Sequence, residues 1–120
     1  RAHTASEQSA ALNRAVLAAE SAAESFKGAD DLDEAVRLMG VRAGDTPGVL
    51  TAWYDRAWNP CAERDARYRL DILIHGPEGG GSLPGRPGGL WEAEITVGRT
   101  ADGVFEELYR LSARRYQPAA

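Results

Sequence analysis

The period of the apolar residues changes once along this chain, near residue 49, and that change limits the fold more than any other feature. Before it, apolar side chains recur at spacings of 3, 4 and 7, the repeat of a helix with one buried stripe. After it they alternate, the repeat of a strand with one buried face. Helices followed by strands predict an α+β fold, with the helices covering one face of an antiparallel sheet. The 120 residues suit a single domain with one modest core, and an apolar content of 43% is enough to pack it.

Residues 5 to 27, ASEQSAALNRAVLAAESAAESFK, read as one long Ala-rich helix. Leu12, Ala15, Val16, Ala19, Ala23 and Phe26 fall on a stripe roughly 100° wide, which is expected to cover the core. Thr4 and Glu7 have capping-box spacing, and Gly28 stands where the helix is expected to stop. Leu17 lies off the stripe, on the polar side with Arg14, Ser21 and Glu24. It reads either as a scattered exposed leucine or, with Arg14 and Glu24, as a contact with another subunit. A short second helix is predicted over residues 31 to 39, with Leu32, Ala35, Val36 and Met39 on its apolar face and Gly40 after it. Residues 41 to 48, VRAGDTPG, read as a loop.

About four strands follow. Residues 49 to 58, VLTAWYDRAW, have strand composition, and Asn59-Pro60 ends them. In residues 67 to 75, Tyr68, Leu70, Ile72 and Ile74 point one way and Arg67, Arg69, Asp71 and His75 the other. Residues 90 to 98 repeat this, with Trp91, Ala93, Ile95 and Val97 facing in. Residues 104 to 116 fit both periods; Tyr109, Leu111 and Ala113 alternate with Arg110, Ser112 and Arg114, which favours a strand. The outer faces are polar, so the second face of the sheet is expected to meet water. Half of the positions in residues 76 to 89, GPEGGGSLPGRPGG, are glycine, which predicts a long and poorly ordered hairpin connection.

The inventory of reactive side chains predicts no enzyme, no metal and no cofactor. Cys61, His3 and His75 lack the paired spacing of a zinc site. The glycine-rich segment has no phosphate-loop pattern and no helix after it. Ser82 sits in no strand–turn–helix elbow. Asp30, Asp31, Asp33 and Glu34 lack the ligand spacing of a calcium loop, and acidic residues in a first helical turn are explained by the helix dipole. A net charge of −4 argues against nucleic acid as a main partner. Thirteen of the 14 basic residues are arginine, a bias read here as coding composition rather than a binding surface. Trp53, Tyr54 and Trp58 form an aromatic group that either packs in the sheet or offers a surface for glycan or peptide.

The helix ALNRAVLAAESAAESFKG, the short helix DDLDEAVRLMG, and the strands around AWYDRAWNP, YRLDILI, WEAEITV and ELYRLSARRYQP together resemble the soluble part of type IV pilin-like proteins and type II secretion pseudopilins. The resemblance implies a filament subunit that assembles with other pilin-like subunits. It also implies anchoring in the membrane through an N-terminal helix and a place at the extracytoplasmic side of the cell envelope. The expectation that follows concerns the gene. Directly upstream of Arg1 it should encode about 20 apolar residues in helical phase with residues 5 to 27, enough to span a bilayer. Reading the encoded sequence checks this, and a cleavable signal peptide with no retained apolar helix would contradict it.

Overall fold

In the computed structural model, which describes residues 5–44, 46–77 and 88–118, the chain opens with one helix, α1 (Ala5–Gly28). Thr4, His3, Ser82 and most of the glycine-rich connection lie outside the described residues. Ala11, Ala15, Ala19, Ala22, Ala23 and Phe26 are the buried side chains of α1. The predicted stripe is therefore displaced. At 100° per residue the buried arc is centred about 40° from the expected one. Ala11 and Ala22 enter the core, Val16 is half-buried, and Leu12 is 42% exposed. Small side chains at 11, 15, 19 and 22 let the helix backbone lie close to the sheet, and that close approach moves the bulkier Leu12 to the flank.

The second helix, α2 (Leu32–Met39), is capped at both ends as its sequence requires. Asp31 is extended at the N-cap and its Oδ1 accepts the Glu34 amide at 2.8 Å, while Glu34 Oε1 accepts the Asp30 amide at 3.0 Å. Gly40 closes the helix in the left-handed conformation, with φ of 69°. Leu32, Ala35 and Met39 join the same core as Ala15, Ala19 and Phe26.

The sheet has five antiparallel strands in chain order: β1 (Arg42–Ala43), β2 (Val49–Tyr54), β3 (Tyr68–His75), β4 (Gly89–Ala101) and β5 (Val104–Gln117). One strand more is present than expected. β1 lies in the predicted loop and pairs Arg42 with Thr51 and Ala43 with Leu50. Two exposed residues carry no alternation of their own, so the pairing signal sits entirely on β2. β5 is a strand, as the alternation favoured. Asp102 and Gly103, both at positive φ, form the tight turn between β4 and β5.

Trp91, Ala93, Ile95 and Val97 of β4 and Leu70, Ile72 and Ile74 of β3 are buried toward the helices. The other face carries a polar network. Thr51 Oγ1 donates to Asp71, Arg69 pairs with Asp71 at 3.0 Å, His75 meets Glu94 at 2.8 Å, and Arg114 pairs with Glu92 at 3.1 Å. Between Val97 and Gly98 the register slips by one residue. A Cβ on Gly98 would collide with the Phe105 ring and the Glu106 carbonyl, so no larger residue fits at the bulge.

α1 packs on β4 and β5, and the Arg115 guanidinium of β5 ties down its end, donating to the carbonyls of Phe26 at 2.8 Å and Ala29 at 2.9 Å. No helix among the described residues is long and apolar enough to cross a membrane.

Three substitutions test this packing by denaturant unfolding. Phe26→Ala is expected to cost about 3–5 kcal/mol, because a fully buried ring leaves a cavity. Gly98→Ala is expected to cost about 1–3 kcal/mol through overpacking at the bulge. Leu12→Ala should stay below about 1 kcal/mol, and a cost equal to that of Phe26→Ala would restore the original stripe.

Candidate functional site

A five-stranded sheet is about 19 Å across, four spacings of about 4.8 Å, whereas a helix with side chains covers about 10–12 Å. With α1 seated over β4 and β5, one side of the helix is left facing a gap above β2. That gap is a cleft of about 960 Å³. Arg14, Leu17 and Ala18 of α1, Trp53 and Tyr54 of β2, Met39 and Trp58 line it.

The chain beyond β2 closes the cleft through a short loop that strand composition concealed. β2 stops at Tyr54, four residues before its predicted end. The Asp55 carboxylate accepts the amides of Ala57 at 2.9 Å and Asn59 at 3.0 Å, and the Asp55 carbonyl accepts the Trp58 amide at 2.9 Å. This is an Asx-type turn, in which one side chain replaces the ladder partners of the backbone. It holds Trp58 at φ of 66°, a left-handed conformation rare for a bulky residue. The ring then lies parallel to Tyr68, with centroids 3.9 Å apart, and tilted against Tyr54 at 5.9 Å. A Cys61 amide bond to the Trp53 carbonyl, at 3.1 Å, brings the chain back beside β2.

All three members of the predicted aromatic group, Trp53, Tyr54 and Trp58, line the cleft. Tyr54 and Trp58 meet on the helix side of the sheet, joined by Tyr68. Trp53 pairs in register with Arg69, so strand alternation turns it toward the other face, and it still borders the cleft beside Tyr54. The predicted subunit-contact group divides. Arg14 and Leu17 stand on the rim of the cleft, Leu17 with 60% of its surface exposed. Glu24 does not line it and pairs with Lys27 at 3.3 Å.

Arg14 also borders a second groove of about 570 Å³ on the other side of Trp58, where sequence reading placed nothing. Arg56, Arg67 and Arg99 converge there with Arg14, beside the Trp58–Tyr68 stack, against one carboxylate, Glu7. Arg99 is bound to Glu106 at 2.7 Å and Arg14 donates to the Ala57 carbonyl at 3.4 Å. Arg56 and Arg67 form no ion pair among the described residues. The arginine bias, read from composition as incidental, is locally a positive surface on an acidic protein. These four residues lie far apart in sequence, so only the spacing of the fold reveals them.

Burial raises the Tyr54 hydroxyl above its ordinary range. Burial, followed by the nearby carboxylates of Asp55 and Asp65, pushes the Cys61 thiol up as well, which keeps the thiolate fraction low at neutral pH. Asp31 and Glu34, weighed above as calcium ligands, are engaged in capping α2. Among the described residues no three His, Cys, Asp or Glu side chains are grouped to hold a metal ion. The chain matches no protein-family model, no curated protein and no solved structure.

The loop geometry carries its own test. Asp55→Ala removes the acceptor for two amides and is expected to cost about 1–2 kcal/mol. It should also shift tryptophan emission to the red as Trp58 leaves the Tyr68 ring. Unchanged emission with unchanged stability would show that the carboxylate does not hold Trp58.

Proposed function

We propose that this protein is a non-enzymatic structural subunit of an extracytoplasmic filament, pilus or pseudopilus, of the pilin-like kind. The observation that carries the reading is the helix α1 laid across one side of an antiparallel sheet, with a solvent-facing side that presents Leu17 between Arg14 and Glu24. A leucine with more than half its surface in water contributes nothing to the core of the single chain. On a helix that packs against neighbouring subunits, the same leucine becomes buried apolar area. The polar second face of the sheet, laced with ion pairs, suits an outer wall exposed to water. In this role the chain partners other subunits of its own kind, and a membrane-anchored segment holds it at the envelope until assembly.

A second reading rests on the cleft itself. Its apolar wall, with Tyr54 and Trp58 at one end and Arg14 at the rim, suits a glycan or peptide ligand. A secreted binding module of this kind would show saturable binding by the isolated chain, lost when Trp58 is replaced.

Replacing Leu17 separates the two. Leu17→Glu should leave the stability of the isolated chain within about 0.5 kcal/mol, since the site is exposed. In the cell that makes the full precursor it should abolish incorporation into filaments. If the unsubstituted precursor forms no multi-subunit assembly, the filament reading fails. Assembly that proceeds equally well with Leu17→Glu removes Leu17 from the contact.

A further inference from the structure

The arginine groove and the turn that opens α2 are opposite in charge and stand at different levels of one long molecule. The protein measures 49 × 24 × 21 Å. Arg14 and Asp30 are 16 residues apart along α1 and the turn after it, which at helical rise is about 24 Å. In the groove, Arg56 and Arg67 are exposed and form no ion pair among the described residues. In the turn, Asp30, Asp31 and Asp33 are exposed, and the capping bonds between Asp31, Glu34 and Asp30 hold the backbone that presents them.

We propose that the arginine groove receives the acidic α2 turn of a second copy of this chain. The inference deepens the filament reading and rests on it, because it names one contact by which subunits follow each other. Two different patches on the same molecule make a heterologous contact, and repeating that contact without closure builds an open chain. The occupant is argued from charge. With Arg99 paired to Glu106 and Arg14 donating to the Ala57 carbonyl, Arg56 and Arg67 leave the groove positive and suited to an acidic partner, and this chain carries an exposed acidic turn held in a fixed conformation. Pairing them places the Arg56 and Arg67 guanidinium groups, suited to bidentate contact with carboxylates, opposite the exposed acidic side chains of the turn, of which Asp31 also caps α2. Both patches are rim-like and wet, so the contact is individually weak, and it gains force from repetition and from whatever else holds neighbouring subunits together.

Charge reversal tests the contact on the 120-residue chain. One variant carries Arg56→Glu with Arg67→Glu, the other Asp30→Arg with Asp33→Arg. Circular dichroism and unfolding curves first establish that each folds. Sedimentation of the unsubstituted chain at low salt should show concentration-dependent association that high salt suppresses. Each variant alone should associate more weakly by on the order of tenfold. A mixture of the two should recover association, because each then supplies the charge that the other reversed. The milder pair Arg56→Gln with Arg67→Gln should fall between. The proposal is overturned if the unsubstituted chain stays monomeric at low salt, if the variants associate as it does, or if the mixture fails to recover. Failure here is distinct from failure of the filament reading. Filaments that still form in the producing cell with either reversed variant discard this contact and leave the assembly role standing.

Discussion

The guanidinium of Arg115 is the point on which the arrangement of helices over the sheet depends. It reaches from the last strand to two carbonyls at the end of α1, across 89 residues of sequence to Phe26 and 86 to Ala29. The Phe26 carbonyl belongs to the terminal turn of the helix, where no further helical amide is available to it, and the Ala29 carbonyl lies just past its end. A cation there also meets the negative end of the helix dipole. One side chain therefore fixes where α1 stops, over which strands it lies, and from where the chain departs into α2. The alanines of α1 let the helix approach closely, and Arg115 sets its end.

Both grooves follow from that placement. A helix held over β4 and β5 leaves β2 uncovered on the same side, and the space becomes the cleft rimmed by Arg14 and Leu17. The loop after β2 cannot continue as strand, because Asp55 takes up the amides of Ala57 and Asn59. Trp58 is thereby folded back onto Tyr68 and stands as a partition between the cleft and the arginine groove. The same helix carries the residues of both candidate contacts, Leu17 on its polar side and Arg14 between the two openings. The assembly role proposed above would draw on surfaces created by one packing decision.

Much of the fold was legible in the sequence because it rests on local signals. Asp31 with Glu34, and Gly40, announce α2 through capping chemistry, and the alternation in residues 67 to 75 and 90 to 98 announces β3 and β4 through a buried face. What escaped was tertiary. β1 is too short to have a pattern. The phase of α1 was misplaced by about 40° because volume favoured Leu12 as a core residue, whereas close packing favoured Ala11 and Ala22. Aromatic content extended β2 through Trp58, although that ring serves a turn. The trio Trp53, Tyr54 and Trp58 does border one cleft, while strand alternation points Trp53 and Tyr54 to different faces of β2. The arginine groove had no sequence signal at all, since its four members come from α1, the loop after β2, the approach to β3, and β4.

Hydrogen exchange on an Arg115→Met variant tests most directly whether this one side chain positions the helices. The substitution keeps a long apolar stem and removes the two charge-assisted bonds, at an expected cost of about 2–3 kcal/mol. The account predicts faster amide exchange concentrated in residues 26 to 40, where α1 ends and α2 begins, with protection in β3 retained. Equal protection throughout residues 26 to 40 in the variant and the unsubstituted protein would contradict it.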